Sequence, residues 1–293
     1  MNLIKPMQGE LNEPLQSLAR LAWDHAATLC KPQHGCTNYH RTWSLIRLIS
    51  LDAALPGASA FLIEEIATRI AGGARRILVS GCADTGLLAV VVQAMRRAGQ
   101  LAQVVIVDRC KTPLEQCRVY AESLGLPVEF HECDVRDLEI EPVDVVIAHS
   151  FLLFFPEPDR QHVIDSWARM TRPGATVLMF TAISPDDKTH PVRLDRASIP
   201  GRAASLATAA LERGWHQEER ADLESDVARF WHESAGIAKT PHTTADNLLR
   251  GLERAGFSVL QVIPRVQESS TNGPLGVNAS HTDNRAELIA VRN

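Results

Sequence analysis

Residues that could bind a nucleotide follow three short apolar runs of the sequence. Gly81 and Gly86 bracket a turn after the first run, where missing side chains let a ligand approach the backbone. Asp108 follows the second run, where a carboxylate can accept both hydroxyls of a ribose. After the third run, Asp134 could accept an adenine amino proton while the Val135 amide donates to the ring. Each feature alone is also typical of ordinary turns and caps, but together they predict a nucleotide-type ligand.

The elements that must position these residues alternate between strand-like and helix-like segments. Five apolar runs are predicted as strands: Arg76–Ser80, Val104–Val107, Val128–His131, Val143–Ala148 and Ala175–Thr181. Helices are predicted between them over Leu87–Ala98, Pro113–Leu124 and Asp159–Met170. Continuous apolar strands separated by helices are typical of a parallel sheet covered on both faces. The sequence therefore predicts an α/β fold with a doubly wound, mostly parallel, Rossmann-like sheet whose strand carboxyl ends share one edge.

The flanking segments have other patterns, and they divide the chain into four predicted parts. Residues 1–72 are predicted as a helical cover or lid, with a helix over Gly57–Ile70 that ends at Gly72-Gly73. Residues 73–184 form the predicted cofactor-binding core, and residues 185–242 a helical insertion over its rim. Residues 243–293 are predicted as a helix capped by Thr243 or Thr244, followed by an antiparallel hairpin of Phe257–Ile263 and Glu287–Val291.

Composition limits the partners that this chain could have. Its 293 residues carry 30 basic and 35 acidic side chains, and no run of Lys and Arg exceeds two residues, so we expect no nucleic-acid partner. The longest apolar runs, such as Leu87–Val92 and Phe151–Phe155, are far shorter than the ~20 residues of a membrane span. The first residues show no basic-then-apolar segment. We therefore expect a cytoplasmic protein with a small-molecule substrate, and the N-terminal helices could form a homodimer contact.

The cysteines favour reduced, mostly buried thiols. None of them forms the two-residue-spaced pairs of a zinc site. Cys30 and Cys36, with His34 and His40 nearby, could suggest a metal, but a second ligand pair is missing. The expectation is therefore that no metal is bound. The six cysteines are Cys30, Cys36, Cys82, Cys110, Cys117 and Cys133.

The strand ends resemble those of the class I S-adenosylmethionine-dependent methyltransferases, over about residues 74–184 and more loosely over the hairpin. A dinucleotide-binding fold would have a middle glycine between Gly81 and Gly86, which this turn lacks. The resemblance implies S-adenosyl-L-methionine as the cofactor, with Asp108 and the adjacent Arg109 at its ribose. It also implies that Asp134 and Val135 hold the adenine. The turn that would wrap the methionine part comprises Gly81, Cys82, Ala83, Asp84 and Gly86. A second likeness is the stretch Asp165–Leu178 with Arg172-Pro173-Gly174, which resembles the helix and turn before the family's fifth strand.

The chain also departs from the family pattern. Val79 stands where the family often has an acid, and the turn is one residue longer than the common form. We hypothesise that Asp84 replaces the missing acid as the contact of the methionine ammonium. An NAD-dependent oxidoreductase, and a member that binds the cofactor without transferring methyl, remain the alternatives.

Three groups of residues are candidates for the acceptor side. His149 comes directly after the fourth predicted strand, where the resemblance places the methyl group of the bound cofactor. It could act as a general base or merely line the pocket beside the cofactor. Tyr39 and His40 could form a substrate wall, or simply begin a helix whose Trp43 packs inward. Phe230, Trp231 and His232 could form another wall or anchor the insertion. Methyl transfer to an O, N or S atom of a small acceptor is expected, with a C atom left open. The aromatic and His content of these groups favours an aromatic or heteroaromatic acceptor.

Overall fold

The computed structural model describes residues 11–49, 54–183, 196–236, 245–268 and 282–293. Within these residues, the strands form one seven-stranded sheet, in the order β3-β2-β1-β4-β5-β7-β6. Strands β1 to β5 are parallel, and β7 is antiparallel to both β5 and β6. The strands are β1 (Arg76–Ser80), β2 (Gln103–Asp108), β3 (Val128–Glu132), β4 (Val143–His149), β5 (Thr171–Ala182), β6 (Phe257–Glu268) and β7 (Thr282–Arg292).

Helices cover both faces of this sheet and form a further layer beside it. They are α1 (Leu15–Leu29), α2 (Thr37–Leu48), α3 (Ala54–Ala71), α4 (Gly86–Ala98), α5 (Lys111–Ser123), α6 (Glu157–Arg169), α7 (Ile199–Leu211), α8 (Arg220–Gly236) and α9 (Ala245–Arg254). Among the described residues, no helix is both long enough and apolar enough to cross a membrane.

Side chains of each parallel strand alternate between two hydrophobic cores, as expected for a sheet buried on both faces. In β1, Ile77 and Val79 pack with α3, α4 and α5, while Leu78 packs on the opposite face with α6 and α9. Strand β2 alternates in the same way. The predicted doubly wound α/β fold is therefore confirmed.

The predicted antiparallel hairpin is also confirmed, and its strands are longer than predicted. Strand β7 lies between β5 and β6, with Leu288 and Ala290 in one core and Ile289 in the other. Pairing of β6 and β7 continues past the apolar stretch through polar positions such as Arg265 and Arg285. Backbone hydrogen bonds sustain this extension, which apolar patterning alone does not predict.

The predicted start of the fifth strand needs correction. The turn predicted at Arg172-Pro173-Gly174 lies inside β5, which begins at Thr171. Pairing with β4 shifts from Val143 opposite Thr171 to Val145 opposite Thr176, so the extra residues loop out as an irregularity. Gly174 has a positive φ of 82°, which explains the glycine in a segment that still counts as strand.

Helices of the predicted N-terminal cover and of the predicted insertion pack together in a third hydrophobic core. Trp23 of α1, Leu45 of α2, Leu206 of α7 and Phe230 of α8 are all buried in it. The helical character of the insertion is thus confirmed over residues 196–236. Its other residues, and the proposed caps Thr243 and Thr244, lie outside the described part of the chain.

Candidate cofactor-binding site

The carboxyl ends of β3, β2, β1 and β4 lie side by side, because these strands are neighbours in the sheet. Asp108 ends β2, His149 ends β4, and Gly81 directly follows β1. Asp134 comes two residues after β3, whose Glu132 is paired with Asp108. The strand order therefore brings the residues predicted from separate stretches of sequence to one edge, where open parallel sheets bind their ligands.

The turn after β1 requires a glycine at its first position. Gly81 has φ +77°, and its N–H donates to the Val107 carbonyl at 3.0 Å. A Cβ at this position would lie only 2.1 Å from the ring of Phe151. Both the backbone conformation and the space at Gly81 thus exclude a larger residue without rearrangement.

Asp108 joins the turn after β1 to the start of α5. Its Oδ2 accepts the Cys82 N–H at 3.0 Å, and its Oδ1 accepts the Cys110 N–H at 2.8 Å. The carboxyl is surrounded by protein yet keeps some exposed surface. This desolvation raises the pKa of Asp108 to about 6, although the charge of His40 and the two backbone N–H groups oppose the rise. Each oxygen retains acceptor capacity, so the carboxylate could also receive ribose hydroxyls.

Asp84 faces the interior rather than the crevice. Its Oδ1 accepts the Gly86 N–H at 2.9 Å, and its Oδ2 lies 2.6 Å from the Arg47 guanidinium. Arg47 also forms an ion pair with Glu13, whose other oxygen accepts the Thr85 hydroxyl. The side chains of Arg47, Glu13 and Asp84 are only 8%, 4% and 5% exposed. This geometry supports Asp84 as a brace under the turn and disfavours the hypothesised contact with a methionine ammonium.

Burial also affects the acid at the base of this brace. Desolvation raises the pKa of Glu13 above its ordinary value, while the Arg47 charge opposes the rise. The neighbouring Asp84 charge raises the pKa further, so the two acids depend on one guanidinium for compensation. We refer to Glu13, Arg47 and Asp84 as the buried charge triad.

Asp134 is held by a single arginine. Its carboxylate accepts the Arg136 backbone N–H at 3.0 Å and two guanidinium N–H groups at 2.9 and 2.8 Å. These side-chain hydrogen bonds lower the pKa of Asp134, and the charge of Arg109 acts in the same direction. Val135 beside it is buried. The carboxylate is therefore ionised and fixed in orientation, as recognition of an adenine amino group would require.

The end of β4 contributes aromatic surface to the same edge. The His149 ring stacks on Phe180 with centroids 5.6 Å apart and an interplanar angle of 3°. Ser150 adopts an unusual positive φ of 53°, and its hydroxyl accepts a hydrogen bond from Arg285 at 3.1 Å. The chain then turns so that the Phe151 ring covers Gly81. His149 and Phe151 thus flank the turn that follows β1.

Tyr39 belongs to an aromatic group that joins α2, α8 and the segment after β4. Its ring stacks on Trp43 and Phe230 at 5.4 and 5.7 Å, and meets Phe154 edge-on at 6.1 Å. Phe154 is 47% exposed, whereas Phe230 is buried in the third core. Phe230 therefore anchors the insertion, with Trp231 packed against the same core and His232 exposed. Tyr39 and Phe154 remain as candidates for a substrate wall.

His40 lies elsewhere than predicted. It is buried, and its Nδ1 is 3.6 Å from the Cys30 sulfur, so its ring faces thiols instead of an acceptor. Cys36 and Cys110 belong to the same group. Hydrogen bonds from these thiols, that of Cys110 foremost, lower the pKa of Cys30. The charge of His40 still affects the crevice, because it opposes the rise in the pKa of Asp108.

Comparisons with known proteins agree with the fold of this domain. Residues 77–174 match the model of a methyltransferase domain family. The carboxy-S-adenosyl-L-methionine synthase of Photobacterium profundum is 26% identical over 147 residues, which are 48% of this chain and 59% of that protein. This chain thus matches less than two thirds of that relative's length.

Two solved structures share the fold at low sequence identity. An O-methyltransferase family protein from Burkholderia thailandensis has a TM-score of 0.54 and 18% identity, over 96% of this chain and 71% of that one. The mitomycin 7-O-methyltransferase MmcR has a TM-score of 0.51 and 13% identity, over 93% and 60% of the two chains. The strand order and the family match together indicate a Rossmann-like methyltransferase domain over residues 77–174. This domain supports the resemblance to the class I S-adenosylmethionine-dependent methyltransferases that the strand-end residues predicted.

Sequence reasoning missed Phe151, Arg47 and Glu13. Phe151 directly follows the fourth strand end, so its position was a usable signal. Arg47 lies on a helix with a mixed pattern, and Glu13 precedes the first helix. Nothing in their spacing indicates that they meet under the turn after β1.

Proposed function

We propose that this protein transfers the methyl group of S-adenosyl-L-methionine to an O, N or S atom of a small molecule. The observation that carries this proposal is the hydrogen bond from the Cys82 N–H to the Asp108 carboxylate, beside Gly81 with its positive φ. This contact fixes the turn for the methionine part next to the acid for the ribose. Asp134 supplies the matching acceptor for the adenine.

The cofactor would supply an activated methyl group on a sulfonium. The protein therefore has to position the acceptor against this methyl group and exclude water from the site. Where the acceptor atom carries a proton, the protein also has to remove it. His149 lies at the end of β4, and stacking on Phe180 fixes the plane of its ring. We propose that His149 removes the acceptor proton, since an imidazole is suited to proton transfer near neutral pH.

Tyr39 and Phe154 would line the acceptor's side of the site. Their rings meet edge-on, and nearly half of the Phe154 surface is open to a ligand. Aromatic side chains offer a large apolar face that favours planar ligands. We therefore propose an aromatic or heteroaromatic acceptor.

Cofactor binding is the direct test of this proposal. We expect calorimetry to show binding of S-adenosylhomocysteine, the demethylated cofactor, and none of NAD. Asp108→Asn should weaken the binding by about 1–3 kcal/mol, the scale for hydrogen bonds to a charged group. Asp137→Asn is the matched control, because Asp137 is exposed and only three residues from Asp134.

Two outcomes would contradict the proposal. Equal affinity of Asp108→Asn and the unchanged protein would remove Asp108 from the site. Tight cofactor binding without methyl transfer to any compound in a broad panel, followed with labelled cofactor, would favour a member of the family that transfers no methyl.

A further inference from the structure

Three thiols and one imidazole converge at the junction of the N-terminal helices and the sheet. Cys30 follows α1, Cys36 precedes α2, His40 lies in the first turn of α2, and Cys110 precedes α5. The three sulfur atoms and a ring nitrogen all lie within 4.8 Å of one another. We call Cys30, Cys36, His40 and Cys110 the thiol–imidazole cluster.

The separations in this cluster are close to those of a tetrahedral metal site. The Cys30 sulfur is 3.3 Å from the Cys110 sulfur and 3.6 Å from the His40 Nδ1. A Zn²⁺ ion with Zn–S bonds of about 2.3 Å holds its ligand atoms about 3.8 Å apart. Small side-chain adjustments would therefore place all four atoms around one ion.

The surroundings of the cluster fit a structural metal rather than scattered thiols. Cys30, His40 and Cys110 are buried, and Cys36 is half-buried, so the cluster is closed on most sides but reachable from solvent. The Thr112 hydroxyl lies 3.0 Å from the Cys30 sulfur. Such a hydroxyl is a suitable outer hydrogen-bond donor to a metal-bound thiolate.

We propose that Cys30, Cys36, His40 and Cys110 bind one Zn²⁺ ion in a closed, structural site. A donor set of three sulfurs and one nitrogen in tetrahedral arrangement is typical of zinc. Four protein ligands leave no position for a substrate, so the ion would not take part in chemistry. Binding would release protons from the thiols, because zinc takes the thiolate form.

The ion would connect the helical cover to the cofactor crevice. Three ligands come from the segment that includes α1 and α2, and the fourth follows β2. The Cys110 N–H donates to Asp108 at 2.8 Å, so fixing Cys110 also fixes the acid proposed to bind the ribose. The zinc site does not depend on what the crevice binds, and it can be tested without any assay of methyl transfer.

The sequence pointed away from this site because it offered only Cys30 and Cys36 as a pair. Cys110 reaches the cluster through tertiary packing of α1 against α5, not through a spaced motif. The proposal therefore differs from the expectation that no metal is bound.

The test measures metal content on the full chain, purified without chelator and with zinc in the growth medium. We expect one Zn²⁺ per chain by elemental mass spectrometry, and one Co²⁺ after exchange, with the intense sulfur-to-cobalt absorption of thiolate ligation. Cys110→Ser and Cys36→Ser should lose most of the bound metal. Cys133→Ser should retain it, because Cys133 is a half-buried cysteine outside the cluster.

A second variant keeps the test decisive if the cysteine variants fail to fold. Thr112→Val preserves all four ligands and removes only the hydroxyl, so we expect zinc affinity, measured by competition with a chromophoric chelator, to fall about 10–100-fold. Chelation should also lower the Tm of the unchanged protein, since the ion binds only the folded chain. Folded protein without zinc after exposure to Zn²⁺, an iron–sulfur chromophore, or a disulfide between Cys30 and Cys110 in freshly purified protein would overturn the proposal.

Discussion

The buried charge triad allows a quantitative prediction about the stability of this domain. Arg47→Met keeps most of the side-chain stem but removes the charge that compensates Glu13 and Asp84. All three side chains are at most 8% exposed, so the penalties for buried ion pairs apply rather than those for surface pairs. Removing one partner of a buried pair typically costs about 3–5 kcal/mol, because the remaining charge has no compensation.

The free energy of unfolding, measured by urea denaturation at pH 7, should therefore fall by about 3–5 kcal/mol. With about 2.1 cal/mol/K of unfolding entropy per residue, this corresponds to a Tm lower by about 5–8 °C. The matched control is Arg97→Met, whose pair with Glu64 is 57% and 52% exposed. That control should change stability by less than about 1 kcal/mol.

The deficit of Arg47→Met should shrink as the pH is lowered. Burial already raises the pKa of Glu13 in the folded protein, and loss of the guanidinium raises it further. At a pH below the pKa that Glu13 has in the unfolded chain, Glu13 is protonated in both the folded and the unfolded protein. There its ionisation does not reduce the stability of the folded state. As the pH rises through the folded pKa, the folded chain must ionise a buried acid, and stability is lost. A deficit equal to that of Arg97→Met, or one that grows towards pH 5, would refute the role given to the triad.

Two further variants probe the crevice itself. Gly81→Ala should lower the free energy of unfolding more than Gly99→Ala does. Both positions have a positive φ, but only the new Cβ at Gly81 would meet Phe151. An equal fall in the free energy of unfolding for both variants, measured by urea denaturation, would show that Phe151 does not restrict the turn. His149→Phe keeps an aromatic ring against Phe180 and removes the proton acceptor, so kcat for an identified acceptor with an ionisable proton should fall about 10²-fold or more. The affinity of the His149→Phe variant for S-adenosylhomocysteine should stay unchanged. An unaltered kcat would show that His149 is not the base. His162→Phe is the control, because the His162 side chain is 67% exposed.

The fold was predictable because its signals are local. The apolar runs of β1 and β2 are continuous, and the helices between them carry clear apolar faces, so sequence alone indicates a buried parallel sheet. Where a strand depends on pairing rather than on its own apolar residues, the prediction fell short. The outer half of β6 and the irregular start of β5 are both of this kind.

The candidate site was predictable only where chain order determines position. Gly81, Asp108 and Asp134 follow successive strands, and a parallel sheet brings such positions to one edge. The inward orientation of Asp84 could not be predicted, because it depends on Arg47, which lies 37 residues earlier in the chain, on α2. His40 likewise meets Cys110 only because α1 and α2 pack where they do.

The position of β7 has a consequence for synthesis on the ribosome. Residues 257–268 are translated before residues 282–292, yet among the described strands β6 pairs only with β7. While the nascent chain lacks β7, the hydrogen-bonding edge of β5 is uncovered and β6 has no neighbour from the described part of the sheet. The sheet can therefore be completed only after residues 282–292 have been translated, and a ribosome stalled before residue 282 would expose an unpaired strand edge to other chains.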